Sequence, residues 1–209
     1  MNPPGIRLQA TSLFKRYGPR RVFEDLSFEA APGSVLVITG RNGSGKSTLL
    51  RCLAGLERPT RGSVRWHCGE REWTASDRRS RLGFVSPELT LYEELTGSEN
   101  LRFFARMRGL SPSGSELEDL LERVGLQGRG ADRVGGYSSG MSQRLKWAFA
   151  LVCRPAALLL DEPGITLDAE GFALAGRLIA EARRQGVLVV IATNDTREME
   201  LGDERLSLS

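Results

Sequence analysis

The sequence predicts an α/β fold with a mainly parallel core sheet, an antiparallel β region ahead of it and a helical region inserted into it. The apolar, largely β-branched run Val35–Ile38 breaks at Gly40 into a glycine-rich turn and resumes as the helix-compatible stretch Lys46–Leu56, which reads strand, loop, helix. Leu82–Val85, Ala156–Leu160 and Val187–Ala192 are short continuous apolar runs bounded by turn or polar residues, the pattern of buried strands. Between the first and second of these, Leu95 to Arg133 carries helical periodicity in two segments.

The turn Gly40-Arg41-Asn42-Gly43-Ser44-Gly45-Lys46-Ser47-Thr48 has the composition of a phosphate cradle. Glycines at 40, 43 and 45 allow positive φ, so that successive N–H groups converge on phosphate oxygens. The helix beginning near Lys46 adds its N-terminal dipole. In the pattern G-x-x-x-x-G-K-[ST], Lys46 supplies a point charge to the terminal phosphates and the Ser47 hydroxyl is a Mg²⁺ ligand.

Bulk composition narrows the class. A chain of 209 residues, 40% hydrophobic and 26% charged, is long enough for one domain with a sizeable core, and a single domain over 1–209 is expected, with the helical insertion at about 88–136. No apolar run has the length needed to cross a bilayer, and Met1–Gly5 lacks the basic flank and apolar segment of a signal peptide, so a cytosolic location is expected. Cys52, Cys68 and Cys153 show no C-x-x-C spacing, which argues against a disulfide framework or a zinc site. The net charge of +3 is mostly scattered arginine, with clusters only at 78–81 and 183–184, and is read as a solvated surface, with no nucleic-acid partner expected.

In chain order, Ile6–Tyr17 and Arg21–Ala30 alternate loosely around Gly18-Pro19 and read as an antiparallel hairpin. Tyr17, at its turn, is placed either to stack on a nucleotide base or to pack at the hairpin end. Ser63–Trp66 and Trp73–Thr74 read as short strands, and His67 between them has no partner for a metal site or a triad. In the helical insertion, Thr96 or Ser98 is the N-cap of a helix with the stripe Leu101, Phe103, Phe104 and Met107, and Ser115–Val124 is a second helix stopped by Gly125. Gly128–Gly136 leads out as a glycine-rich loop. Ser138-Ser139-Gly140 precedes a helix over Ser142–Cys153 closed by Pro155, and is either an anion site or a plain N-cap.

The strand Ala156–Leu160 ends in Asp161-Glu162. In a phosphate-loop protein a strand-end Asp orients Mg²⁺, and a following Glu polarises a water for attack on the γ-phosphate. Gly171–Gln185 reads as an amphipathic helix, and Thr193-Asn194-Asp195 ends the last apolar run, beside the phosphate site if ligands sit at strand carboxyl ends.

Taken together, the loop Gly40–Thr48, the helical insertion, Ser138-Ser139-Gly140-Met141 with Gln143-Arg144, Asp161-Glu162-Pro163 and Leu167-Asp168 resemble the ATP-binding cassette (ABC) ATPases over nearly the whole chain. The resemblance implies ATP and Mg²⁺ as cofactors and a head-to-tail homodimer in which Ser138–Gly140 of one subunit caps the γ-phosphate held by Lys46 of the other. It assigns Tyr17 to adenine stacking, Ser47 and Asp161 to Mg²⁺, Glu162 to the general base and the place of Asn194 to a γ-phosphate contact. Two positions depart from the family: Pro87 stands where a glutamine is usual and Asn194 where a histidine is usual, which implies slow turnover with ATP binding intact. The short single cassette is similar to ATPase subunits that sit on the cytoplasmic face of the bacterial inner membrane and pair with separate transmembrane subunits. It resembles in size and ending the haem-exporter ATPases of cytochrome c maturation, and Ser138–Gln143 equally resembles general bacterial export ATPases. A slow ATP-binding module, or a soluble ABC protein acting on nucleic acid, are the alternatives.

Overall fold

The computed structural model describes residues 5–208; the opening Met1–Pro4 and the last residue, Ser209, lie outside the described residues. The described residues form two sheets and seven α-helices. Strands β1 (Ile6–Tyr17) and β2 (Arg20–Ala30) form the expected hairpin, and with β4 (Arg61–Cys68) and β5 (Arg71–Glu72) they make an antiparallel sheet in the order β2-β1-β4-β5. The core sheet contains β3 (Val35–Gly40), β6 (Leu82–Val85), β7 (Ala157–Asp161), β8 (Leu188–Thr193) and β9 (Glu204–Leu208), ordered β6-β7-β8-β3-β9 with every pair parallel.

Period-2 alternation sorts the core strands onto two apolar layers. Val35, Val37, Leu158, Leu160, Val189 and Ile191 face one cluster, which includes Leu101, Leu117, Leu121 and Trp147 of the helices. Leu36, Ile38, Leu159, Leu188 and Val190 face the other, with Leu49, Leu50 and Leu53 of α1 (Lys46–Ala54) and with Leu8, Leu13 and Trp66 of the antiparallel sheet. Burial on both faces is why these strands read as continuous apolar runs rather than as alternating ones.

Four differences from the sequence expectations have physical causes. Trp73–Thr74 is not a strand: Thr74 is the N-cap of α2 (Ala75–Arg81), closed by a capping box with Asp77, and Trp73 stacks on Trp66 at 5.7 Å. This helix buries none of its residues, so it has no apolar period to detect; the T-x-x-D cap was its only signal. The helix expected from Ser142 is α5 (Ser139–Leu151), so Ser139 and Gly140 lie inside its first turn, and it ends before Pro155. Beyond Val187–Ala192, the last strand expected from the sequence, the chain forms α7 (Thr196–Met199) and β9, which lies at the edge of the sheet beside β3. The sixth helix, α6 (Ala169–Arg184), starts two residues earlier than read, capped by Asp168.

The inserted region holds α3 (Gly97–Met107), α4 (Gly114–Arg123) and a single 3₁₀ turn at Val134–Gly136. Of the two candidate caps, Thr96 is the one used: its hydroxyl accepts the N–H of Glu99 at 3.2 Å while the Glu99 carboxylate accepts the N–H of Thr96 at 2.8 Å. The region is joined to the core through α5, which packs closely on β6 because Gly83 has no side chain. A Cβ there would stand 2.5 Å from the carbonyl of Ala150. Removing a used cap costs ~1 kcal/mol, so Thr96→Ala should lower the urea midpoint accordingly. Ser98→Ala should stay within about 0.5 kcal/mol of the parent; the reverse order would mean that the helix starts at Ser98.

Candidate phosphate-loop site

Parallel pairing brings the functional ends of four strands to one edge. Thr39 is in register with Thr193, Asp161 with Ala192, and Val85 with Leu160. The loop after β3, the carboxylates after β7 and Asn194 after β8 therefore meet at the carboxyl ends of the strands.

The loop itself is held by close backbone approach. Gly40 and Gly45 have φ of 153° and 100°, and a Cβ on either would stand 2.5 Å from the carbonyl of Leu208 or 2.3 Å from the Val22 side chain. The first contact seats the loop on β9, and the second seats the β1–β2 hairpin on the loop. Helix α1 starts from Gly45 with no side-chain cap and no acidic residue in its first turn, so its leading N–H groups have no carboxylate to bind.

Lys46 is only 6% exposed, and its ammonium donates to the carbonyls of Gly40 (2.8 Å) and Arg41 (3.3 Å) and to Oδ1 of Asn194 (2.8 Å). The Asn194 amide in turn donates to Oδ1 of Asn42. Among the described residues no carboxylate pairs with Lys46 within 4.0 Å; its hydrogen bonds go to neutral acceptors, while the carboxylates of Asp161 and Glu162 act on its charge from further off.

A cavity of about 250 Å³ opens over this loop, bordered by Tyr17, Asn42, Gly43, Gly45, Lys46, Ser47, Thr48 and Glu162. Arg20 and Val22 of β2 also line it, and no motif in the sequence marks either. Their hairpin position was legible, but its docking onto the loop depends on the contact at Gly45. Tyr17 is 47% exposed at the cavity rim rather than packed into the hairpin end.

Asp161 is 3% exposed and its Oδ1 has no hydrogen-bond partner. Burial pushes its carboxyl above the ordinary carboxylate range, against the lowering effects of a hydrogen bond from Ser47 and the charges of Arg51 and Lys46. Glu162 lies in the left-handed region at φ 47°, fixed by its N–H to the carbonyl of Ala192 at 2.9 Å. Burial raises its pKa too, partly offset by Lys46 and by the backbone N–H of Asn194. An orphaned buried carboxylate oxygen beside a hydroxyl is the donor set a Mg²⁺ ion completes, so Ser47 and Asp161 fit that ion.

Ser138, Ser139 and Gly140 do not border the Lys46 cavity. They form the N-terminus of α5, where the Ser138 hydroxyl accepts the N–H of Met141 at 3.2 Å and the Ser139 carbonyl accepts from the Thr166 hydroxyl at 3.3 Å. From the same helix, Gln143 and Trp147 both donate to the carbonyl of Pro163, at 3.0 and 3.2 Å, and so hold the segment that follows Glu162. Pro87 offers only its carbonyl, which accepts from Lys146 at 2.8 Å, while both carboxylate oxygens of the adjacent Glu88 accept from Nη1 of Arg51, at 3.1 and 3.2 Å.

Residues 23–164 match the family described as ABC transporter. The chain is 34% identical over 196 residues to the ABC transporter ATP-binding protein YtrE of Bacillus subtilis, covering 90% of this chain and 84% of that protein. It is 32% identical over 204 residues to the cytochrome c biogenesis ATP-binding export protein CcmA of Vibrio parahaemolyticus, covering 94% of this chain and all (100%) of that one. Against the uncharacterized ABC transporter ATP-binding protein Rv2564 of Mycobacterium tuberculosis it is 36% identical but spans only 59% of its length. The ABC transporter cassette MJ0796, in a dimeric structure, superposes with a TM-score of 0.85 at 25% identity, covering 96% of this chain and 94% of that one. A family match across most of the chain, on a fold shared over 96% of it, places this protein in the ABC transporter family as an ATP-binding member.

Proposed function

We propose that the chain is a Mg²⁺-dependent ATPase that energises a bacterial membrane transporter. The observation that carries this reading is one cavity lined by the glycine-rich loop, by a buried ammonium that makes no ion pair within 4.0 Å, and by Glu162. A triphosphate satisfies the ammonium and the amides together. The loop 40–48 then grips the phosphates and Tyr17 stacks on the base. Ser47 and Asp161 hold the Mg²⁺, which supplies charge neutralisation at the terminal phosphates. Glu162 orients and deprotonates the attacking water, a role that a raised carboxyl pKa favours. Asn194, already bonded to Lys46 and Asn42, contributes one neutral hydrogen bond at the γ-phosphate.

Ser138–Gly140 lies outside that cavity, which supports its use in trans: two chains pair so that this helix N-terminus closes the partner's site, consistent with the dimeric state of the similar cassette MJ0796. For the membrane partner, the supporting feature is a groove of about 550 Å³ beside the loop after β6, with Leu56, Phe84, Met107 and Phe149 in its walls and Arg78 and Arg79 at its edge. Leu56 and Met107 are 67% and 72% exposed there, a chemistry suited to an amphipathic, acidic cytoplasmic segment of a transmembrane subunit. Similarity to CcmA supports haem export for cytochrome c maturation as the transported process. Location on the cytoplasmic face of the inner membrane follows from that partnership.

Lys46→Ala removes the charge-assisted contact to the phosphates, worth ~1.5–3 kcal/mol. ATP affinity measured by equilibrium titration should fall on the order of 10–100-fold, and unchanged affinity would overturn the cradle assignment. Glu162→Gln should keep ATP bound, block phosphate release and accumulate an ATP-bound dimer on size-exclusion chromatography. Turnover equal to the parent would move the base elsewhere.

A second reading, that hydrolysis is slow, is favoured by Pro87, whose side chain offers no ligand, and by the neutral Asn194. Charge-assisted hydrogen bonds are roughly twice as strong as neutral ones, and a deficit of ~1–2 kcal/mol in the transition state is ~5–30-fold in rate. Asn194→His should therefore raise kcat several-fold at saturating Mg-ATP with little change in KM. An equal or lower rate would show that the Lys46–Asn194–Asn42 contact, or the loop at Pro87, sets the limit.

A further inference from the structure

Glu57, in the segment after α1, belongs to none of the motifs that define the site. Its carboxylate nevertheless gathers three donors from two different elements: the Lys15 ammonium at 2.6 Å, the Tyr17 hydroxyl, and Nε of Arg51 at 3.3 Å. Lys15 is only 8% exposed, is held a second time by the carbonyl of Arg58 at 2.8 Å, and stands 4.8 Å from the centroid of the Tyr17 ring. Tyr17 is thus fixed at its far end by a hydrogen bond to a carboxylate and covered on one face by a cation, while its exposed remainder borders the cavity. Arg51 extends the network to the loop helix, since its Nη2 donates to the Thr48 hydroxyl at 3.3 Å.

An aromatic ring at a hairpin turn would ordinarily sample several orientations and lose that freedom on stacking. A ring already tied at its hydroxyl and covered on one face does not. We infer that Glu57 is a positioning residue for the nucleotide base: through the phenolic hydroxyl it holds the Tyr17 ring in its stacking pose, so that phenylalanine is not equivalent to tyrosine at this position. The inference rests on Tyr17 being the base-stacking residue, and the variants are chosen to separate the two ideas.

The full-length chain is titrated at equilibrium with Mg-AMPPNP and, separately, with Mg-tripolyphosphate, which has no base. Tyr17→Phe should weaken AMPPNP binding ~3–10-fold, the loss expected when one side chain must be ordered on binding. Tyr17→Ala should weaken it further, and neither should change tripolyphosphate binding. Glu57→Gln should weaken AMPPNP binding in the parent and add nothing in the Tyr17→Phe background. The melting temperature of Tyr17→Phe, which disturbs no ion pair, should match that of the parent, so that a binding loss is not one of folding. If Tyr17→Ala binds weakly while Tyr17→Phe binds like the parent, the ring alone suffices and the role of Glu57 is overturned. If Tyr17→Ala binds like the parent, the base-stacking reading itself falls. Additive losses in the double variant, or an equal loss of tripolyphosphate binding, would likewise overturn the positioning role.

Discussion

The structure depends most on one buried charge. The Lys46 ammonium is withdrawn from water and solvated by two loop carbonyls and an asparagine oxygen, all neutral. Burial of a cation is costly unless it is paired, and neutral acceptors repay only part of that cost. The balance is available to an anion that enters the cavity, which is how a loop of small residues acquires affinity for phosphate. Two tight glycine contacts keep the ammonium in place, at Gly40 against β9 and at Gly45 against the hairpin.

Those contacts explain why the rest of the fold is arranged as it is. Strand β3 carries the loop and has β8 on one side and β9 on the other, so that Asn194 and the Leu208 carbonyl reach the loop from opposite neighbours. Strand β7, one place further along, delivers Asp161 and Glu162 to the same edge. The antiparallel sheet is packed over α1, which brings Tyr17, Arg20 and Val22 to the cavity from a part of the chain far from the loop.

Helix α5 ties the strand end that carries Asp161 and Glu162 to the helical region. Gln143 and Trp147 place two donors on the Pro163 carbonyl, while the first turn of the same helix presents Ser138–Gly140 outward. A displacement of this helix therefore acts at once on the backbone beside Glu162 and on the surface proposed to close a partner's site. The groove proposed for the membrane subunit includes Phe149 of α5, so docking there and the geometry at Glu162 share one rigid element.

The chain's own pattern determined the parallel core strands, the phosphate loop, the strand-end carboxylates and the hairpin, because each rests on local chemistry: β-branched runs, glycines with positive φ, and Asp-Glu at the end of an apolar segment. It also marked Thr96 as one of two possible caps, while Pro87 and Asn194 stood out only against the pattern of the ABC ATPases that the chain resembles. It offered only a T-x-x-D cap for α2, which buries nothing and so carries no period, and nothing for β9, whose five residues are a strand only because β3 supplies the pairing. The side-chain partners were decided by tertiary structure alone. The bonds of Asn194 to Lys46 and Asn42, and of Glu57 to Tyr17 and Lys15, join residues 40 to 152 positions apart, and no local preference encodes which distant donor a polar group will meet once the chain has packed.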